Sequence, residues 1–172
     1  MDSKKLRNIT MAGLFAAMIT IMTAYLFHVP YGVNGGYIHF GDMLIYLAAV
    51  LLPKPYAIAA AAIGGGLADI LTAPAWAPYT IVIKALLCIA FTSNGEKIVT
   101  VRNVAAAVIA YPITCLGYFV AELIMFGSKE VAFWGSVSGN LVQCTGSLIL
   151  FIAVGVVLDR IHVKNLLTAE AK

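Results

Sequence analysis

The sequence predicts an all-α integral membrane protein, a single transmembrane domain of six helices with both termini cytoplasmic. Composition is the first reason. Of 172 residues, 62% are hydrophobic and only 11% charged, with a mean hydropathy of +0.94. Soluble domains carry roughly 25% charged residues, and a chain this short has too much surface to hide so much apolar side chain. Continuous apolar runs are the second, since a lumen-facing strand would alternate. The third is the placement of the cations. In a six-span arrangement Lys4, Lys5, Arg7, Lys54, Lys97, Arg102, Arg160, Lys164 and Lys172 fall on one side, Lys129 on the other and Lys84 within a span. Lys and Arg collect on the cytoplasmic side.

The elements follow in order. A first span is expected at 8–28, retained rather than cleaved, because its apolar run exceeds a signal peptide's and no cleavage site follows. A second, at 39–52, stops at Pro53-Lys54-Pro55. The third covers 56–71, with Pro74 and Pro78 breaking the chain beyond it. The fourth runs over 79–92 to Ser93-Asn94-Gly95, the fifth over 103–126 and the sixth over 133–158. Spans two and four are short for a bilayer crossing of about 20 residues. The connection 29–38 is the long outer loop and carries Gly32, Gly35 and Gly36.

Polar groups inside such spans are costly and mark function. Asp69, Lys84, Glu122, Asn140 and Gln143 are the intramembrane set. His39 and Asp42 stand at the outer start of span two, and Trp76, Tyr79, Tyr118 and Trp134 lie near that level. Several carry a structural alternative. Asp42 can cap a helix N-terminus, Asp69 can pair with Lys84 or act separately, and tryptophans can be interfacial. No metal site or cofactor is expected, because His39 and Asp42 supply only two ligands. Cys88, Cys115 and Cys144 lack metal or disulfide spacing and read as small apolar side chains. No nucleotide-binding loop is present, and no basic cluster suits a nucleic acid.

Four segments carry a resemblance. They are Ala12-Gly-Leu-Phe-Ala16, "GGYIHFGDMLIYLAAVLLPKPYA" from Gly35, "GGGLADILTAPAWAPYTIVIKALL" from Gly64, and "NLVQ" at 140–143. Together they span nearly the whole chain, and the middle two are the specific ones. The chain resembles the substrate-binding S components of energy-coupling factor (ECF) vitamin transporters, in the riboflavin and hydroxymethylpyrimidine/pyridoxine branch. It departs at Leu52-Pro53-Lys54-Pro55, where that branch often has glycine. The resemblance implies a six-helix bundle in a prokaryotic plasma membrane, with a vitamin-like substrate bound in the outer half. Its partners would be a transmembrane T subunit and two ATPase subunits. The chain itself would be no enzyme, and it would carry its cargo inward by toppling. Ala12 and Ala16 would contact the T subunit. Glu122, Asn140, Gln143, Lys84, Tyr79, Trp76, Tyr118, Trp134 and His39 would meet the substrate, with Asp42 and Asp69 structural. Pyridoxine or hydroxymethylpyrimidine is the first expectation for the cargo, riboflavin or queuine the next. The reading from another class is a self-sufficient proton-coupled carrier or channel using Asp69, Lys84 and Glu122 as a relay.

Overall fold

A computed structural model describes residues 3–26, 28–31 and 36–169. Seven α-helices and one short hairpin make up this part. They are α1 (Ser3–Ala24), β1 (Val29–Tyr31), β2 (Gly36–Ile38), α2 (Asp42–Leu51), α3 (Lys54–Thr72), a 3-10 turn (Pro74–Trp76), α4 (Ala77–Ala90), α5 (Val101–Phe126), α6 (Lys129–Arg160) and α7 (Val163–Ala169). The hairpin is antiparallel, with Val29 opposite Ile38 and Tyr31 opposite Gly36, and β2 packs on α6. The segment expected as a plain loop is therefore partly paired; Gly32 and Gly35 lie outside the described residues.

Local chemistry sets the boundaries. Pro53 ends the α2 segment, whose last carbonyls meet no proline N–H, and Pro55 sits in the first turn of α3, where its fixed φ suits a helix start. Thr100 caps α5 by accepting from the Asn103 N–H. Gly127 ends α5 at φ 70°, the left-handed conformation that glycine adopts without a Cβ penalty. Ser128 then caps α6 by accepting from the Val131 N–H.

Among the described residues four helices, α1, α3, α5 and α6, are long and apolar enough to cross a membrane. With 10 residues, α2 reaches about 15 Å, half of a hydrocarbon core of about 30 Å. It is shorter than the apolar run 39–52 because the chain bends at Phe40-Gly41 before the helix starts. The 14 residues of α4 are also fewer than a full crossing takes.

The two short helices are apolar for different reasons. α2 is buried among α1, α3, α4 and α6; Ile45, Tyr46, Ala48 and Val50 are fully enclosed. It is a core helix, apolar all round because protein surrounds it. On the other helices large apolar residues such as Leu14, Ile63, Val82, Leu116 and Ile149 point outward and are more than half exposed. Apolar surface on that scale belongs against lipid.

The Gly64–Gly66 run is what lets α3 fit between α1 and α4. A Cβ at Gly64 would stand 2.8 Å from the Ala16 carbonyl oxygen and 2.8 Å from Ile19 Cβ. The Thr20 hydroxyl donates across the same contact to the Gly64 carbonyl at 3.0 Å. Gly64→Val should therefore separate α1 from α3 and cost about 1–3 kcal/mol, read as a lower melting temperature of the purified chain. An unchanged melt would show that the two helices do not need this approach.

Candidate functional site

Asp42 opens α2 and is completely buried. Its carboxylate accepts from two neighbours, Lys84 Nζ of α4 at 2.6 Å and Gln143 Nε2 of α6 at 2.9 Å. Three helices are thus tied at one buried point. Burying an ammonium or a carboxylate alone is prohibitive, and together they are tolerated because each satisfies the other.

The helical repeat builds a wall beside this point. Trp76, Thr80 and Lys84 recur every four residues and share one face. On α5, Tyr118 and Glu122 do the same. The Tyr118 hydroxyl and the Thr80 hydroxyl are 3.0 Å apart, and the Lys84 ammonium lies 5.7 Å from the centre of the Tyr118 ring. Trp76 meets Tyr118 edge-on at 5.9 Å and Phe126 at 6.3 Å. α3 closes the side: a Cβ at Gly65 would meet Lys84 Cγ at 2.9 Å and Thr80 Cγ2 at 3.3 Å. Asp69 is buried one turn further along α3. Glu122 is buried too, with its carboxylate against the Gly135 backbone of α6; a Cβ there would be 2.3 Å from Glu122 Oε2.

All of these groups stand toward the end of the bundle where α1 finishes, α2 begins and α5 turns into α6. The hairpin lies at that end. His39, buried directly after it, accepts the Gly41 N–H on Nδ1 at 3.0 Å and is 3.5 Å from the Thr23 hydroxyl. The arrangement offers aromatic faces, hydroxyls, an amide, carboxylates and one ammonium in a water-poor setting. Among the described residues no three His, Cys, Asp or Glu side chains converge as metal ligands.

The family description "ECF-type riboflavin transporter, S component" matches residues 3–160. The chain belongs to this family. As an S component it is a substrate-binding subunit of a membrane transporter, and it is not an enzyme. An uncharacterized protein of Pyrococcus woesei, described as lying in the gap 3'region, is 28% identical over 141 residues. The match takes in 81% of this chain and 93% of the relative.

Within this S component the expected residues separate into groups. Lys84, Gln143, Trp76 and Tyr118 come together, and Glu122 follows one turn beyond Tyr118 on α5, against Gly135. Tyr79 is half-buried beside them on α4. Asn140 is half-buried, and its amide donates back to the Ser136 carbonyl of its own helix at 2.6 Å. Trp134 does not join the wall. It is 64% exposed, because α6 turns it to the outside beside Phe133.

One alternative left open is decided, and two expectations are corrected. Lys84 pairs with Asp42 rather than Asp69. Asp42 does not cap α2: Gly41 holds the cap position without a side-chain bond, and the Asp42 carboxylate is taken up by α4 and α6. Ala12 and Ala16 are buried against the core, at 9% and 6% exposure. Where they were expected to face a partner, they face α3. Gly13 and Ala17 are the small residues that α1 leaves exposed.

Reasoning from the sequence missed Thr80, Thr23 and Gly135. Thr80 had a legible signal, the four-residue spacing of Trp76, Thr80 and Lys84. Gly135 had none, since its importance depends on Glu122 arriving from another helix.

Proposed function

We propose that this S component captures a small, flat, polar heterocycle of vitamin type against Trp76, Tyr118, Lys84, Glu122 and Gln143. It then hands the cargo to a T subunit driven by two ATPase subunits. The observation that carries the reading is the buried Asp42–Lys84–Gln143 group beside aromatic and hydroxyl side chains. Intramembrane ionisable groups are kept where they meet a substrate or ion. Lys84 and Gln143 are held by Asp42, so both donors stand pre-positioned for a ring's edge, while Trp76 and Tyr118 supply apolar faces. A site with donors of this kind rejects analogues that leave them unpaired.

The bundle sits in a prokaryotic plasma membrane with six passes and both termini cytoplasmic, as the cation asymmetry supports. In this orientation the site lies in the outer half, under the β1–β2 hairpin. Pyridoxine and hydroxymethylpyrimidine are the first candidates for the cargo, and riboflavin, named in the family description, and queuine are the next. The face of α1 with Gly13 and Ala17 is the one left open for a T-subunit helix, since small residues let helices approach closely.

Reconstitution in liposomes tests the division of labour. With T and ATPase subunits the candidate vitamins should be taken up in an ATP-dependent way. The chain alone, under a pH gradient, should move none of them. Uptake or proton flux by the chain alone would replace this reading with the self-sufficient carrier.

A further inference from the structure

A second polar site lies at the opposite end of the bundle. The start of α1, the α2–α3 turn, the α4–α5 connection and α7 enclose a cleft of about 440 Å3. Of the charged side chains lining it, Lys4, Arg7 and Lys164 are cations and Glu96 is the one anion among the described residues. Arg7 reaches across the cleft, and its Nη1 donates to the Leu167 carbonyl of α7. Its Nε, however, is buried and has no hydrogen-bond partner among the described residues. A buried donor left unmet costs on the order of 1–3 kcal/mol, more when it is charged, so this guanidinium edge is built for a missing acceptor.

Lys164 is fixed at the rim. Its ammonium donates to the carbonyls of Ser93, Gly95 and Lys97 at 3.1, 3.2 and 3.3 Å. Those bonds tie the α4–α5 connection to α7 and hold the positive charge in place. Lys4 and Arg7 lie three apart in the first turns of α1, where the helix dipole also favours an anion. Met11, Leu51, Pro53 and Leu167 give the wall an apolar part, and Asn8, Ser93 and Asn165 add polar side chains. Leu6 and Leu166, each next in sequence to a cleft residue, are 50% and 58% exposed. The cleft is therefore amphipathic, with cations beside apolar side chains.

We propose that this cleft binds the phosphate headgroup of an anionic phospholipid, with Arg7 as its bidentate anchor, Lys4 beside it, and Lys164 adding positive charge from the rim. Guanidinium donors match phosphate oxygens in pairs, and basic pockets between helices on the cytoplasmic side suit anionic headgroups. The apolar wall favours a lipid over a soluble phosphate. A lipid so held would bridge α1 to α7 and fix the bundle's depth at this face.

Native mass spectrometry of the full chain with equimolar phosphatidylglycerol and phosphatidylcholine tests this. Phosphatidylglycerol adducts should exceed phosphatidylcholine adducts on the order of tenfold, and Arg7→Gln should bring the ratio near one. Equal binding of both lipids by the parent chain would overturn the proposal, as would an unchanged ratio in Arg7→Gln. If Arg7→Gln fails to fold by circular dichroism, Lys4→Gln decides; it should reduce the ratio, and no reduction would also overturn it. Inorganic phosphate alone stabilising the chain against heat as well as phosphatidylglycerol does would make this a soluble-phosphate site and overturn the lipid assignment.

Discussion

Asp42→Leu should unfold this protein more readily than almost any other single change. Lys84 is 1% exposed, and removing its carboxylate leaves an ammonium stranded in a low-dielectric core. Breaking a buried pair from one side costs about 3–5 kcal/mol, a large fraction of the stability of a domain. The Gln143 amide loses its acceptor at the same time. Adding Lys84→Met removes the stranded charge, and adding Gln143→Leu removes the stranded amide. Thermal unfolding in detergent should show the single variant melting far below the parent, with the double and triple variants recovering most of the loss. A double variant as unstable as the sum of its singles would mean that the pair is not one coupled unit. Recovery of folding should not restore ligand binding, because the charge that orients the site is gone.

Binding gives the second large effect. Glu122→Ala and Gln143→Ala should each weaken substrate affinity by about 10- to 100-fold, the scale of losing one hydrogen bond to or beside a charged group. Trp134→Ala should change it less than about twofold, since that side chain points out of the bundle and rim or surface positions contribute little. Titration followed by tryptophan fluorescence separates the variants. Trp76→Phe should abolish most of the ligand-dependent signal, because Trp76 is the buried tryptophan beside Tyr118. Equal losses at Trp134 and Glu122 would move the site to the outer surface of α6.

Much of the architecture was legible in the sequence. Apolar runs and proline breaks anticipated helices near α1 to α6 but not α7, and Lys84, Gln143 and Tyr118, singled out by polarity and level, lie near one another in the fold. The partner choices were not legible. Asp69 and Asp42 are equally plausible mates for Lys84 in one dimension. The structure decides between them because α2 enters the middle of the bundle and brings Asp42 against α4 and α6. The α1 stripe was ambiguous for a related reason. Ala12/Ala16 and Gly13/Ala17 have the same four-residue spacing, and only the packing on Gly64 shows which pair faces inward. That α2 is enclosed by the other helices was not legible, because composition alone does not distinguish a helix surrounded by protein from one surrounded by lipid. Trp134 was grouped with Trp76 by its level along the bundle, a coordinate that says nothing about which way a side chain turns.

The central claim is that this chain alone holds the cargo, and binding by the purified chain without any partner subunit tests it most directly. Material should be analysed for a co-purifying small molecule by mass spectrometry. It should then be titrated with pyridoxine, hydroxymethylpyrimidine, riboflavin and queuine while Trp76 fluorescence is followed. The account predicts saturable one-to-one binding of one heterocycle, lost in Glu122→Ala. No saturable binding of any of them, with no co-purifying ligand, would contradict it.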